Sequence, residues 1–402
     1  MTRCIIAGCG PAGAMAGFLL ARAGVDVTVL EKHGDFLRDF RGDTIHPSTL
    51  EILDELGLAR KFLKLPHSEI SHAGIRTTSG DALELWFARL HTKFPFVAMV
   101  PQWDFLDFIT DEAKKLPQFH LEMNAEVDGL IEENGVVCGV RTKNGEAIRG
   151  QLTIGADGRS SRTCEAAGLP RVASSPPMDV FWFRLPRREH DGAGLVARVG
   201  SGIAIILIDR RDYWQVAYVI PKGAADRVRA AGLPAFRKSI VDIFDMLADR
   251  VDTIDDWEKV KLLTVRADHL TRWYKPGYLA IGDAAHAMSP IGGVGINLAI
   301  HDAVAAANVL WKPFIDGSVG VSDLRRVQRR RELSVKIIQR AQTVLQNTFI
   351  KRALGSEEFK FPWLAHAILA TPLLRDIPPH LMAFSIRRPH VRTPEAKLQQ
   401  LR

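Results

Sequence analysis

The pattern of apolar and polar positions at the N-terminal end predicts a strand–helix–strand unit. Residues 3–7 and 25–30 are short apolar runs, which favour buried strands. Between them, residues 11–23 repeat apolar side chains at helical spacing. This order is typical of the start of an α/β fold with a parallel sheet.

Further along the chain, the pattern predicts more helices and a second, β-rich region. The predicted helices outside the first unit are residues 47–56, 102–115, 224–248, 295–311 and 323–347. The predicted strands are residues 121–128, 135–142, 151–154, 180–185, 194–199, 203–208, 213–220, 262–265 and 278–281. The four strands between 180 and 220 indicate an antiparallel sheet inserted into the α/β fold.

Composition and charge are those of an ordinary folded protein. Hydrophobic residues make up 47% of the chain and charged residues 25%. Lys and Arg outnumber Asp and Glu by 53 to 46, which slightly favours anionic ligands. Part of this surplus lies in residues 324–332 and 385–402, without the interleaved aromatic residues that single-strand binding needs, so we expect no nucleic-acid partner.

Cysteine spacing and apolar runs bear on metal binding and compartment. The four cysteines have no CxxC spacing and no zinc pattern with His, so the sequence predicts reduced thiols and no metal site. The N-terminus does not resemble a secretory signal, and no uncharged apolar run reaches ~18 residues. We therefore expect a cytoplasmic protein without a transmembrane segment, and the sequence leaves a homodimer open.

A glycine-rich motif joins the first predicted strand to the first helix, and Glu31 follows the second strand. The first glycine permits a tight turn, the second lets backbone approach a pyrophosphate, and the third allows close helix–strand packing. The helix N-terminus attracts phosphate charge, and Glu31 can accept ribose hydroxyls. The predicted dinucleotide-binding residues here are Gly8, Gly10, Pro11, Ala12, Gly13, Glu31 and Lys32.

Three further motifs follow in order, at residues 153–160, 277–286 and 290–297. They read TIGADGRS, GYLAIGDAAH and PIGGVGIN. With the first motif they resemble the class A flavoprotein monooxygenases, which have the para-hydroxybenzoate hydroxylase fold. The resemblance spans most of residues 1–312. It implies an α/β fold, in which a Rossmann-like FAD-binding domain carries an inserted antiparallel substrate-domain sheet and is followed by C-terminal helices.

Combined with the element pattern, the resemblance divides the chain into four parts. The FAD-binding domain has a first part at 1–173 and a closing part at 266–320. Residues 174–265 form the sheet and helix of the substrate domain. Residues 321–402 are a C-terminal helical region.

The resemblance also implies particular contacts to FAD. Asp283 would bind ribityl or ribose hydroxyls, and Asp157 with Gly158 would lie near the pyrophosphate and the path of the nicotinamide. An Asp-Gly pair alone is typical of a turn, and Arg41 and Gln102 are also compatible with plain surface positions. The full set is Arg41, Gln102, Val127, Asp157, Gly158, Gly282, Asp283, Gly292, Gly293, Val294, Gly295, Ile296 and Asn297.

The glycine loop before the helix at 295 suits a reduced flavin, because its N–H groups can face the negative charge at N1 and C2=O. His286 and Pro290 are flavin-facing candidates to which we assign no proton transfer. A purely structural role of His286, in packing or hydrogen bonding beside the dinucleotide, is the alternative. His46 could face the pocket, although a solvent-facing loop position is the simpler interpretation.

Aromatic and apolar residues of the inserted sheet predict the substrate pocket. Trp182, Ile206, Trp214 and Tyr218 are the candidates, and they favour an apolar or aromatic substrate. Aromatic residues on strands are also common in cores, which leaves a packing role open. Arg184, Arg210 and Arg211 could pair with a substrate carboxylate, but residues 209–212 are first predicted to be a hairpin turn.

The resemblance implies a monooxygenase that takes hydride from NAD(P)H and hydroxylates its substrate with O2 through a flavin C4a-hydroperoxide. A single dinucleotide motif and the missing CxxxxC pair argue against the two-dinucleotide disulfide reductases. An FAD-dependent reductase or dehydrogenase of the same fold shares every motif and stays an alternative. A flavin-binding interaction protein without turnover is a further alternative, and the missing WxWxIP segment argues against a halogenase.

Overall fold

A computed structural model describes residues 4–37, 43–192, 194–200, 202–355 and 359–396. The strands are β1 Cys4–Ala7, β2 Val27–Leu30, β3 Thr44–Ile45, β4 Ser68–Ile70, β5 His72–Thr77, β6 Ala82–Trp86, β7 Val97–Met99, β8 Phe119–Glu122, β9 Val127–Glu133, β10 Val136–Thr142, β11 Ala147–Arg149, β12 Leu152–Gly155, β13 Arg171–Ser174, β14 Met178–Pro186, β15 Leu195–Gly200, β16 Ile203–Asp209, β17 Tyr213–Pro221, β18 Lys261–Leu263, β19 Ala267–Leu270, β20 Tyr274–Lys275 and β21 Tyr278–Ala280. The helices are α1 Pro11–Arg22, α2 Pro47–Glu55, α3 Ala59–Phe62, α4 Gln102–Ala113, α5 Arg162–Ala166, α6 Ala225–Ala230, α7 Gly232–Ile243, α8 Gly295–Ile315, α9 Val321–Leu345, α10 Lys351–Ala353, α11 Trp363–Ala370 and α12 Ile377–Phe384.

The first sheet has the order β20-β21-β12-β1-β2-β8, and all its neighbours except β20 and β21 pair in parallel. The four middle strands end in register, because Ala7 pairs with both Leu30 and Gly155, and Gly155 pairs with Ala280. The chain therefore leaves these strands along one carboxyl edge. In open α/β sheets this edge is where ligands bind.

The second sheet has seven strands in the order β18-β14-β17-β16-β15-β5-β6. Its middle is the predicted antiparallel sheet, and the turn between β16 and β17 is the predicted hairpin, with Arg211 at φ 68°. The strands β5 and β6 come from residues 72–86, which the predicted boundary at 173 assigned to the FAD-binding domain. That assignment was wrong for this hairpin, because β5 pairs in parallel with β15.

The helix predicted over 224–248 is interrupted. It forms as α6 and α7, separated at Gly232, whose φ of 85° is incompatible with a continuous helix. Cys4, Cys9, Cys138 and Cys164 are free thiols, as predicted, and Cys138 is half-buried whereas the other three are buried.

Helix α8 is the central core helix, with long stretches of buried Ala, Val, Leu and Ile. Within the described part of the chain, the span Ile291–Ile315 is the one helix long and apolar enough to cross a membrane, and 83% of its apolar window is buried inside the protein. Burial of this kind is typical of a core helix. After α9 the chain runs back across the second sheet through α10, α11 and α12, so that the C-terminal helices contact β6 and α2.

Candidate functional site

The glycine-rich motif, the Asp-Gly motif and the Gly-Asp motif meet at the carboxyl edge of the first sheet. A Cβ placed on Gly8 would lie 2.6 Å from the carbonyl oxygen of Ala156, at the start of the Asp-Gly motif. A Cβ on Gly282 would lie 2.9 Å from the Cβ of Ala12. The three motifs were found separately along the chain, and the fold brings them into direct contact.

Each glycine of the first motif has the geometry that its predicted role requires. Gly8 has a φ of 96°, which favours glycine, and a Cβ on Gly13 would lie 1.9 Å from the carbonyl oxygen of Gly8. A Cβ on Gly10, by contrast, would have no atom within 4 Å. Gly10 is therefore not needed for packing, and it leaves open space at the N-terminus of α1, where a phosphate could bind. Pro11 is the first residue of that helix, and Ala12 is buried.

Glu31 lies directly after β2 and faces the first motif. Its Oε2 accepts a hydrogen bond from the backbone N–H of Cys9 at 3.0 Å, and its Oε1 accepts one from the N–H of His33 at 3.2 Å. The carboxylate is thus fixed beside the glycine-rich turn. Lys32 is exposed next to it, and Val127 is buried under the ends of β1 and β2 in a cluster with Ala7 and Leu30.

The carboxylate of Asp157 is occupied in holding its own turn. Its two oxygens accept hydrogen bonds from the Ser161 hydroxyl at 2.6 Å and from the N–H and hydroxyl of Thr163 at 3.0 and 2.9 Å. Gly158 follows with a φ of 83°. The Asp-Gly pair is therefore a turn, as the simpler interpretation held, and it lies against Gly8, as the family interpretation requires.

Asp283 stands at the edge of the cleft, with 32% of its side chain exposed. Arg159, from the Asp-Gly motif, donates from Nε to its Oδ2 at 3.0 Å. Gly282, the residue before it, is buried with a φ of 61°. One oxygen of Asp283 is therefore paired, while the carboxylate remains accessible to a ligand.

The glycine loop, residues 290–295, is held from both sides. Gly292 and Gly293 have φ values of 77° and 60°, and a Cβ on Gly293 would lie 2.3 Å from the Thr44 hydroxyl. Gln342 of α9 donates from Nε2 to the carbonyl oxygens of Ser289 and Ile291 at 3.1 and 2.8 Å. These bonds hold the loop carbonyls on the α9 side. The first N–H groups of α8 have no acceptors within the helix, so they can serve a ligand.

Asn297 clamps this loop to the segment before α2. Its Oδ1 accepts from the His46 N–H at 2.9 Å and from the Thr49 hydroxyl at 2.7 Å, and its Nδ2 donates to the carbonyl oxygen of Thr44 at 2.9 Å. Its amide is therefore fully used inside the protein, and it positions the loop rather than offering a free group. Val294 and Ile296 are also buried, whereas Gly295 is half-buried.

His286 is buried and has the structural position that the sequence left open, rather than one that faces the cleft. Its side chain is 1% exposed, its ring lies against Trp273 at 5.0 Å between centroids, and its Nε2 lies 2.5 Å from Oδ2 of Asp302. A ring enclosed in this way cannot contact a ligand in an accessible cleft. Pro290 is half-buried at the start of the glycine loop, where its carbonyl accepts from the N–H of Gly293 at 3.1 Å.

Asp302 is the centre of a buried ionic cluster behind the glycine loop. Besides His286, it accepts from Nε of Arg331 at 2.7 Å and from the N–H of Gly282 at 3.0 Å. Burial alone raises the pKa of a carboxyl, but His286 and Arg331 outweigh it and bring the pKa of Asp302 down to about 2. In the sequence, Asp302 directly follows His301 inside a largely apolar predicted helix, and this polar pair is the signal that could indicate the site.

Two further histidines are buried near the loop. His46 is fully buried and its Nδ1–H donates to the carbonyl oxygen of Met382 at 2.8 Å, so the solvent-facing interpretation was wrong. Burial lowers the pKa of His46 to about 4. Burial, and then the nearby Arg331, also lower the pKa of His301 well below its ordinary value. Both rings are therefore neutral near pH 7.

Arg41 lies outside the described residues. Gln102, at the start of α4, donates its N–H to Oδ1 of Asp43 at 3.3 Å, and the other oxygen of Asp43 pairs with Arg210 from the second sheet. Nε of Arg210 also donates to Oε1 of Gln215 at 2.8 Å. This ion pair joins the two domains beside the cleft. Burial raises the pKa of Asp43 despite the opposing effect of Arg210.

The four substrate-pocket candidates lie on opposite faces of the second sheet. Trp182 and Ile206 are half-buried on the face toward the FAD-binding domain. Trp214 and Tyr218 are buried on the other face, where α7 covers them. The Nε1–H of Trp214 donates to Asp191 at 2.9 Å, and the Tyr218 ring lies 4.9 Å from the ring of Phe236. Trp214 and Tyr218 were therefore wrongly assigned to the pocket, because side chains alternate along a strand.

Comparison with known proteins identifies relatives over nearly the whole chain. The family model described as FAD binding domain matches residues 1–341. The 6-methylpretetramide 4-monooxygenase of Streptomyces rimosus is 29% identical over 385 residues, which are 93% of this chain and 90% of that protein. Pentachlorophenol 4-monooxygenase of Sphingobium chlorophenolicum is 24% identical over 77% of this chain, but only over 57% of its own length.

A solved structure shares the fold as well. PqsL from P. aeruginosa, in complex with 2-aminobenzoylacetate, matches with a TM-score of 0.78 at 18% identity and covers 88% of this chain and 99% of its own. The predicted α/β fold with its Rossmann-like domain is thus confirmed, and so is the predicted resemblance. The chain belongs to the FAD-binding family of class A flavoprotein monooxygenases, and it is an FAD-dependent oxidoreductase.

Proposed function

We propose that this protein hydroxylates a small apolar or aromatic substrate with O2, using NAD(P)H as the source of electrons. The observation that carries the proposal is the position of one apolar surface, formed by Trp182 and Ile206, on the sheet face that looks toward the glycine loop. A dinucleotide reductase needs no such surface beside its flavin, whereas a hydroxylase must hold its substrate there.

We propose that one extended FAD lies along the carboxyl edge of the first sheet. Glu31 and Asp283 follow β2 and β21, which are three strand spacings apart, or about 14 Å at ~4.8 Å each. The open space at Gly10 lies on the same edge and would hold the pyrophosphate. Glu31 would then accept the hydroxyls of the adenosine ribose and Asp283 those of the ribityl chain.

FAD, when bound, would supply the redox chemistry. The proposal includes the hydroxylation with O2 that the family resemblance implies. The contribution of this chain is electrostatic. The N–H groups at the start of α8 would face the flavin N1 and C2=O, where reduction leaves negative charge. Gln342 and Asn297 hold the loop in this orientation without taking up those donors.

On the substrate side of the cleft, the surface is apolar and the nearby charged groups are paired with each other. The guanidinium of Arg210 is paired with Asp43, so a substrate carboxylate would have to compete with that carboxylate. His46, whose pKa is about 4, is neutral near pH 7. We therefore propose an uncharged substrate. The names of the relatives that act on pentachlorophenol and 2,4-dichlorophenol support a phenol.

The family resemblance alone does not determine the reaction. A relative called dialkyldecalin synthase, from Streptomyces rugosporus, is 25% identical over 77% of this chain and 64% of its own length. The test must therefore detect oxygen transfer. Purified protein should be yellow, should consume O2 faster when a phenol is added with NADPH or NADH, and should release the hydroxylated phenol.

A matched pair of variants tests which face of the second sheet binds the substrate. Trp182→Phe should weaken the binding of the accepted phenol about ten-fold, because it lines the cleft. Trp214→Phe should leave the binding unchanged, because it packs under α7. A yellow protein that oxidises NAD(P)H without a hydroxylated product from any phenol would instead favour the reductase alternative.

A cytoplasmic location and a homodimer remain predictions.

A further inference from the structure

We propose that helix α12, in the C-terminal region beyond the family match at residue 341, closes the substrate cleft, and that Met382 sets the size of the aromatic ring system that fits beside the flavin. This inference rests on the proposed function. It concerns a residue that none of the sequence motifs contained.

Met382 is fixed at the glycine loop. A Cβ placed on Gly292 would lie 3.6 Å from its Sδ and 3.7 Å from its Cγ. The carbonyl of Met382 accepts a hydrogen bond from Nδ1 of His46 at 2.8 Å, and the backbone of His46 is itself held by Asn297. The thioether therefore stands where a methyl group on Gly292 would touch it, beside the loop that we assign to the flavin.

Met382 also reaches the second sheet. It packs against the apolar cluster that includes Trp182, Ile206 and its own neighbour Phe384, and also against the core of the FAD-binding domain. Its side chain is only half-buried, like those of Trp182 and Ile206. Half-buried side chains from the sheet and from α12 thus pack against the same apolar cluster.

The chemistry of this wall favours a flat, uncharged ring. A thioether is polarizable and adapts its shape, and it packs well against aromatic faces. The indole of Trp182 packs against the same cluster as Met382, and the bonded His46 ring is neutral near pH 7. Other half-buried apolar side chains that pack on this face of the sheet include Ile291, Ile350 and Phe359, and the last two belong to the same C-terminal region.

The C-terminal wall is a single layer. The segment before α12 turns apolar side chains outward, with Trp363 78% exposed and Leu373 88% exposed, while α12 buries Ala383 and Phe384 inward. The family model ends at residue 341, so α12 lies outside the part of the chain that this model matches.

The experiment compares Met382→Ala and Met382→Phe with Met246→Ala, a control on the far face of the second sheet. Phenol and 2-naphthol are titrated into each FAD-loaded protein, and the change in flavin absorbance gives Kd. Met382→Ala should shift the preference at least about ten-fold toward 2-naphthol, and Met382→Phe should shift it by a similar factor toward phenol. The control should keep the wild-type ratio, and all variants should keep their FAD content.

Equal changes of Kd for both compounds, or none, in the Met382 variants would overturn the proposal. This readout needs binding and no turnover, so it stands even if hydroxylation fails. If neither compound binds the wild-type protein, an aromatic substrate is refuted. The rate of flavin reduction by dithionite then tests whether Met382 covers the flavin. Met382→Ala should raise that rate about two-fold or more over Met246→Ala, and an unchanged rate would refute the wall.

Discussion

The two sides of the cleft are built from different parts of the chain and by different means. On the FAD side, the backbone makes the main contribution, since Gly8 and Gly13 bring main-chain groups close together and Gly10 leaves open space at the N-terminus of α1. On the substrate side, side chains from strands and from the C-terminal helix form an apolar surface. Main-chain geometry restricts sequence to glycine, whereas an apolar surface accepts many residues.

This difference predicts that the two sides respond differently to substitution. Glycine positions that need a positive φ or a close approach of backbone accept few other residues. The side-chain side can change substrate through substitutions that leave the fold intact. We therefore expect substitutions on the FAD side to change stability and FAD affinity, and those on the substrate side to change selectivity.

The largest expected effect is on the support of the FAD side. Asp302→Ala would leave Arg331 buried without its partner and would remove the acceptor of the Gly282 N–H. The free energy of unfolding, measured by urea denaturation, should fall by about 3–5 kcal/mol. Asp316→Ala, at an exposed pair with Lys312, should cost less than about 0.5 kcal/mol. A similar loss for both would show that the cluster is not a structural support.

The second effect concerns His46, which connects the two sides. Its pKa is about 4 in the folded protein and 6.5 ordinarily, so the unfolded chain binds the proton more readily. This contribution to stability is complete above pH 6.5 and is lost as the pH falls toward 4, to a total of about 3 kcal/mol. Thermal unfolding of the wild type should therefore lose more between pH 7 and 4 than that of His46→Gln. Parallel curves for the two proteins would contradict this assignment.

The third effect separates binding from folding at one glycine. Gly10→Ala adds a methyl group that meets no protein atom within 4 Å, at a φ of −71° that alanine adopts freely. The melting temperature without FAD should stay within a degree or two, while FAD affinity should fall about ten-fold, because the methyl group occupies the proposed pyrophosphate position. Gly74→Ala, on β5 of the second sheet, is the control for FAD affinity, because a Cβ there would lie at an ordinary 3.9 Å from Cγ of Glu84. An unchanged affinity in Gly10→Ala would move the pyrophosphate elsewhere.

Much of the FAD side could be predicted from the sequence, because backbone constraints leave glycine at fixed spacing. The strand–helix–strand unit, Glu31 and the glycine loop are where the pattern placed them. The residues that support them, such as Gln342 and Arg331, lie on helix α9, and the polar pattern of that helix did not indicate that these two side chains are buried. Such long-range partners depend on packing that local periodicity does not encode.

The substrate side was harder to predict. The strands were found, but the face to which each aromatic residue points depends on register, and so two of four candidates, Trp214 and Tyr218, belong to the core. The hairpin at 72–86 joins its sheet through a parallel contact with β15, more than 100 residues away, which no local signal indicates. Met382 is an apolar residue of a short helix, and only its position beside Gly292 in the structure indicates a role in the site.

The central claim is that one FAD molecule extends from Glu31 to Asp283, and titration with its two halves tests it directly. Calorimetry should show ADP binding weakened about ten-fold by Glu31→Gln and unchanged by Asp283→Asn, and FMN binding the reverse, with FAD weakened by both. The contradicting result would be that each variant weakens the binding of only one compound, ADP or FMN, and leaves the binding of FAD unchanged. That outcome would mean that the two carboxylates face different ligands, and the account would fail.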